Sequence, residues 1–424
     1  MNEAPRPERS RLDQQRLLWI ILPLFIGSIL AYLDRVNIAY AALTMNPQLG
    51  FGAAVYGLGA GVFFAGYVLC EIPGALIAER WSPRLWLARI LITWGLVSAA
   101  MAFIRTPWQF YLARFLLGAA EASFYPVAYA SVIPRWYAPA ERPRVIALML
   151  TSLPLSAIIG GPLAGWLLSV EAAGLKGWQI LFLVEAIPAV AFGFILPAWL
   201  PDRPSEARWL SAAERATLEQ QRAQEIENLH RVRRYSVLQA LTDREVLKLC
   251  LIYFLWITGF WGFNYWMPTE LRELSGWSTL QIGWISVLPM GLALAGMLWV
   301  GRSATRTGER RWHGAIPLFL GAVGLAIGAL SRDPLFGLIG LCAAGVGVYG
   351  AFGVWWSYPT SFLAGPAAAG AVGLINSCGN LGGGVGPPLT GFVKEATGSF
   401  QWAYVALSAC LALAGLLMLS LRRR

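Results

Sequence analysis

Four ionisable side chains stand inside apolar runs early in the chain. Asp34 and Arg35 are neighbours in Ala31-Tyr32-Leu33-Asp34-Arg35-Val36-Asn37-Ile38, and Arg114 and Glu121 bracket Phe115-Leu116-Leu117-Gly118-Ala119-Ala120. On a helix the seven-residue step from Arg114 to Glu121 is about two turns, so both face one way. An ionisable group inside a membrane costs about 2.5–3.5 kcal/mol on insertion scales, so such groups are rare and mark pathways. Two guanidinium groups can converge on one anion and hold a carboxylate by bidentate hydrogen bonds. A carboxylate beside them, Asp34 or Glu121, occupies the arginines when ionised and frees them when protonated, which couples a proton to an anion. A permanent neutral network joining two helices explains less, because apolar packing often replaces one without loss of stability.

The elements that must position these groups are membrane helices. The 424 residues are 57% hydrophobic and 13% charged, which excludes a soluble globule. Apolar runs predict twelve helices at roughly 17–42, 56–78, 84–104, 108–134, 142–169, 178–199, 246–271, 280–301, 312–331, 334–358, 366–393 and 399–421. The first run is too long for a signal peptide and lacks a small-residue cleavage site. Cys70, Cys250, Cys342, Cys378 and Cys410 all lie in apolar runs without metal or redox spacing and read as small hydrophobes. His230 and His313 fall in expected loops, which argues against a metal site.

The formal charge of +10 is arranged by topology and not as a nucleic-acid patch. Arg80, Arg84, Arg135, Arg142, Arg144, Arg302, Arg306, Arg310 and Arg311 fill alternate connections, and Arg6, Arg9, Arg11, Arg16 and Arg422–Arg424 the tails. The intervening connections are nearly free of Lys and Arg, so both termini are expected to be cytoplasmic. Residues 200–245, with Arg208, Glu214, Arg215, Glu219, Arg222, Glu225 and Glu227, read as a cytoplasmic, helix-prone linker. The expected fold is an all-α membrane protein of two six-helix halves, 1–199 and 246–424.

Two patterns recur once per half. Glu79-Arg80-Trp81-Ser82-Pro83-Arg84 follows the second helix, and Thr305-Arg306-Thr307-Gly308-Glu309-Arg310 the eighth. Gly160-Gly161-Pro162-Leu163-Ala164-Gly165 lies in the fifth, and Gly382 to Gly391 with Pro387 and Pro388 in the eleventh. The offsets, about 226 residues from Glu79 to Thr305 and about 225 from Gly161 to Gly386, agree on one parallel repeat. Each pattern alone has a plain reading, since glycines permit close helix packing and basic turns face the cytoplasm.

These marks resemble the major facilitator superfamily, with Glu79 where an Asp is usual. Leu33-Asp34-Arg35-Val36-Asn37-Ile38-Ala39-Tyr40 resembles the first-helix signature of its anion:cation symporter family. Gly66-Tyr67-Val68-Leu69-Cys70-Glu71-Ile72-Pro73, Arg114 to Ala122 and Lys176 to Glu185 match it as well. The resemblance implies proton-driven uptake of an organic anion, such as tartrate, a sugar acid or a hydroxylated aromatic acid, across a bacterial inner membrane. It implies Asp34 and Glu121 as the protonatable pair and Arg35 and Arg114 as the carboxylate contacts. Tyr32, Tyr67, Trp356, Asn376 and Asn380 would face the cargo. The family usually reads Glu-Ala-Gly-Phe and then Pro-Gly where this chain has Glu121-Ala122-Ser123-Phe124 and Pro126-Val127, so Ser123 and Val127 are expected to reshape the pocket floor.

Further candidates come from residue type. Thr151, Ser152 and Asn264 are hydroxyl readers or interhelical bonds, and Tyr125, Tyr129, Tyr265, Trp266, Trp355 and Tyr358 are inward-facing aromatics. Glu185 and Glu71 are further buried acids, with Glu71 a gate or packing partner. Apart from symport, the scaffold serves anion exchange, though exchangers of this type carry an arginine in each half and the seventh helix has Lys248 and Arg272 only at its ends. A transporter-like receptor lacks an appended signalling domain here, and an enzyme lacks a metal cluster, nucleophile–base pair or nucleotide motif. The expected partners are a small organic anion and the lipid bilayer, with no nucleic acid, no cofactor beyond protons as coupling ion, and a monomer.

Overall fold

The computed structural model describes residues 6–231, 243–356, 358 and 366–421. Arg422–Arg424 and linker residues 232–242 lie outside the described residues. Among the described residues, eleven helices are long and apolar enough to span a membrane: α1 Arg11–Leu49, α2 Ala53–Arg80, α3 Pro83–Phe103, α4 Pro107–Trp136, α5 Arg142–Leu167, α6 Gly177–Trp199, α7 Arg244–Ser275, α8 Thr279–Thr307, α9 Arg311–Leu330, α10 Pro334–Trp355 and α12 Gln401–Leu419. The twelfth expected span, α11 Pro366–Thr397, is long enough but carries Asn376, Asn380, Lys394, Glu395 and many glycines. It packs on α7 and α2, so protein and not lipid surrounds much of its polar surface.

Local sequence sets the helix ends. Thr106 with Gln109 and Ser278 with Gln281 form capping boxes at the starts of α4 and α8, and Asp243 and Asp333 cap α7 and α10. Gly50, Gly276 and Gly308 end α1, α7 and α8 with φ near +68°, the left-handed conformation that costs glycine least. The first helix runs past its expected end at residue 42, because polar Thr44, Asn46 and Gln48 continue it until Gly50. His313 lies inside the first turn of α9 and not in a loop, and His230 falls in the linker helix Ala212–Arg231.

One end of the bundle gathers the start of α1, the end of α12, the basic turns and the described part of the linker. Arg16 donates to the Trp136 carbonyl at 2.9 Å and pairs with Glu141, and Lys248 reaches the Ser420 carbonyl at 3.4 Å. Arg142 pairs with Glu225 of the linker helix at 2.6 Å, Arg84 with Glu206 at 3.0 Å, and the Ser82 hydroxyl donates to Asp202. The basic turn after α2 thus straps the linker to the first half, and Glu79 pairs with Arg135 at 3.3 Å.

The halves close on each other at the far end. A Cβ on Gly57 of α2 would stand 2.6 Å from the Pro387 carbonyl of α11, and one on Gly283 of α8 would stand 2.3 Å from the Gly161 carbonyl of α5. A repeat that exchanges each helix with the sixth after it maps the α2/α11 seam onto α8/α5. Both glycine motifs of the repeat therefore serve the same contact twice. Gly283→Val is expected to hold the far end open while leaving each half folded. Maleimide labelling of cysteines placed in the α5/α8 seam should rise and transport should stop; unchanged labelling would refute the role of this contact.

Candidate functional site

Arg35 of α1 and Glu121 of α4 form a buried ion pair. The Arg35 guanidinium carbon lies 5.0 Å from the Phe63 ring centre, 5.1 Å from Tyr67 and 5.5 Å from Trp261, an aromatic surround suited to a cation. Arg114 is 1% exposed and lies 4.8 Å from the same Phe63 ring. Its donors reach the Gly59 carbonyl at 3.4 Å and the Tyr265 hydroxyl at 3.2 Å. Among the described residues it forms no ion pair. Glu121 acts electrostatically on both arginines but bonds only Arg35. Arg35 Nε and Glu121 Oε2 are buried without a hydrogen-bond partner among the described residues.

α4 makes this geometry by running unbroken from Pro107 to Glu121, which keeps Arg114 and Glu121 on one face as expected, and then kinking. Ser123 at the kink has φ of +71°, a conformation that costs a non-glycine residue about 1–2 kcal/mol. Its hydroxyl accepts from the Trp86 indole at 3.0 Å and lies beside Gly74. The Ser123 side chain, expected to reshape the pocket floor, makes its contacts with Gly74 of α2 and Trp86 of α3.

Asp34 pairs with neither arginine, which corrects the expectation that either carboxylate occupies them. Adjacent helical residues point about 100° apart. Arg35 turns towards α2, α4 and α7, and Asp34 towards α3, where the Ser98 hydroxyl donates to it. Asn37 Nδ2 lies 3.4 Å from Asp34 Oδ1 and 2.8 Å from Glu185 Oε2 of α6.

The remaining expected residues divide. The Tyr67 ring stands against Arg35. Tyr32 and Tyr349 share a hydroxyl hydrogen bond of 2.7 Å, and Tyr349 donates to Asn264 Oδ1 at 2.7 Å, so a polar chain crosses between the halves. Asn376 and Asn380 donate to Glu71 at 2.6 and 3.2 Å, a second link between the halves. Trp356 is half-buried, edge-on to Tyr253 at 5.6 Å. Ser152 bonds Ser28 at 2.6 Å and the Met149 carbonyl at 2.7 Å, so it joins α5 to α1, and Ser28 in turn bonds Tyr125, whose ring centre lies 6.0 Å from the Arg35 guanidinium carbon. Thr151 likewise bonds the Leu148 carbonyl.

By residue type alone Phe63 and Trp261 look like packing in an apolar helix, and neither is among the expected site residues. The available signal was spacing: each precedes a site tyrosine, Tyr67 or Tyr265, by four residues and so shares its face. Among the described residues no group of His, Cys, Asp or Glu could hold a metal.

Residues 24–387 match the Major Facilitator Superfamily. A putative tartrate transporter of Agrobacterium vitis is 42% identical over 400 residues, covering 93% of this chain and 90% of that one. The putative metabolite transport protein NicT of Pseudomonas putida is 40% identical over 412 residues, covering 96% and 93%. Among solved structures, the xylose transporter XylE from E. coli, in a partially occluded inward-open conformation, has a similar fold. Its TM-score is 0.75 at 15% identity, over 96% of this chain and 98% of that one.

Proposed function

The chain belongs to the major facilitator superfamily and is a multi-pass membrane transporter, not an enzyme; we propose that it takes up a small organic carboxylate with a proton by alternating access. The observation that carries this reading is Arg114, a fully buried guanidinium with no carboxylate partner among the described residues, beside an Arg35 that has one. Its hydrogen-bond partners are the neutral Gly59 carbonyl and Tyr265 hydroxyl, so Arg114 offers a cargo carboxylate a guanidinium that no protein carboxylate holds. The tartrate transporter among the relatives supports the same chemical class.

Glu121 supplies the coupling. Ionised, it satisfies Arg35 and keeps that guanidinium from the cargo. A proton on Glu121 removes its charge, Arg35 loses its counter-ion, and a cargo carboxylate bridging Arg35 and Arg114 returns the site to the net charge it had before. Proton and anion then bind together or leave together, because the pair adds no net charge to a low-dielectric site whereas either alone changes it. Tyr67, Tyr32 and Tyr265 supply hydroxyls and ring faces near the anion, while Trp356, Asn376 and Asn380 offer the second half's contacts. Asn376 and Asn380 become available once Glu71 releases them. Both termini face the cytoplasm of a bacterial inner membrane in this reading, following the basic turns and linker gathered at their end, and the working unit is a monomer without a cofactor.

The test is uptake into liposomes under an inward proton gradient, with tartrate, hexonates, hexuronates and hydroxyphenylacetates as cargo. One chemical class should enter with protons. Flux that appears only with an anion on the opposite side would replace symport by exchange, and binding without flux would favour a receptor.

A further inference from the structure

A second acid cluster lies where α1 faces α3 and α6, turned about 100° from Arg35. Asp34, Asn37 and Glu185 are 3%, 2% and 5% exposed. Neither carboxylate makes an ion pair among the described residues. One amide group bridges them, with Asn37 Nδ2 2.8 Å from Glu185 Oε2 and 3.4 Å from Asp34 Oδ1. Three buried acceptors are left without a partner: Asp34 Oδ2, Glu185 Oε1 and Asn37 Oδ1. The cluster thus has an excess of acceptors and too few hydrogens.

Two ionised carboxylates facing one amide in a bilayer would leave two uncompensated charges, each far more costly than a neutral acid. The charged groups around the cluster do not relieve this. Arg114 and Glu121 of α4 act on Asp34 with opposite sign, and Tyr40 of α1 is the titratable group beside Glu185. α3 contributes the Ser98 hydroxyl, and the arginines of α5, Arg142 and Arg144, sit at its terminal turn. A single added hydrogen reduces the shortage, because a protonated carboxyl becomes a donor to one of the unpartnered acceptors. The donors present decide which acid takes it. Asp34 receives the Ser98 hydroxyl and shares the Asn37 amide, whereas Glu185 has the amide alone.

We infer that Glu185, with Asp34 and Asn37, forms a proton-binding site separate from the arginine site, in which Glu185 carries the proton and Asp34 is its ionised neighbour. The step is the addition of one proton to a carboxylate oxygen of Glu185, with no other bond made or broken. Asp34 precedes Arg35 directly on α1, so a change in this cluster acts on the cargo site through one helix. The site's use in transport rests on the symport reading above; its existence does not.

The test needs neither cargo nor gradient. Full-length protein in lipid is examined at neutral pH by infrared spectroscopy for the C=O stretch of protonated carboxyl groups, which ionised carboxylates lack and which shifts in heavy water. Subtracting the Glu185→Gln spectrum from that of the unaltered protein should leave one positive, deuterium-sensitive carboxyl band, and the Asp34→Asn spectrum should retain it. No lost band in Glu185→Gln overturns the proposal, as does a band lost in Asp34→Asn but kept in Glu185→Gln. Should Glu185→Gln fail to fold, Glu185→Asp carries the test: the band should move in frequency, and an unmoved band overturns the site. Failed uptake in liposomes would remove the symport reading and leave this result standing.

Discussion

Arg114→Ala is expected to weaken cargo binding roughly a hundredfold while barely changing thermal stability. Hydrogen bonds to charged groups contribute about 1.5–3 kcal/mol each, and losing about 3 kcal/mol raises Kd by about a hundredfold. Removal of Arg114 strands no carboxylate, since its protein partners are the Gly59 carbonyl and the Tyr265 hydroxyl. Arg35→Ala differs, because it leaves Glu121 buried without its counter-ion, and breaking such a pair costs about 3–5 kcal/mol. That variant should lose both binding and stability, and adding Glu121→Ala should recover the stability but not the binding. Arg114→Lys should also bind poorly, because an ammonium keeps the charge but loses the planar fork. Calorimetric binding of the carboxylate found in the liposome panel, beside melting curves, separates these outcomes. Full affinity in Arg114→Ala would place the anion elsewhere and remove the main support for the proposed function.

Much of this contrast was legible in the sequence, and the limits have physical causes. Spacing along one helix is readable, so Arg114 and Glu121 were expected on one face of α4 and lie there. The adjacency of Asp34 and Arg35 suggested one shared site, yet the helical rotation between neighbours separates them, and that rotation was available from the sequence too. What lies across from a side chain is set by packing between helices distant in sequence. Neither Ser98 opposite Asp34 nor Asn37 opposite Glu185 follows from any local pattern. The helix expected at 366–393 is present as α11, but that its glycines and asparagines serve contact with α2 and α7 is visible only in the assembled bundle. The glycine repeat was visible as a motif, but that its two copies make the α2/α11 and α5/α8 seams needed the assembled bundle.

Glu121→Gln should leave cargo binding intact and abolish accumulation. Glutamine resembles the protonated acid in shape and charge, so Arg35 is free for the cargo at every pH. In the unaltered protein, affinity should fall as pH rises, because ionised Glu121 reclaims Arg35; in the variant the profile should be flat. The transport consequence is larger. One pH unit is worth about 1.4 kcal/mol per proton, enough for about tenfold accumulation of a monoanion carried with one proton. A variant with no proton to carry can only equilibrate the cargo, so its accumulation ratio should be near one while exchange of labelled for unlabelled cargo continues. Exchange shows that the site still binds and that the halves still move, which separates lost coupling from lost folding. Tenfold accumulation retained in Glu121→Gln would move the coupling proton off Glu121, and Glu185 would be the next acid to replace.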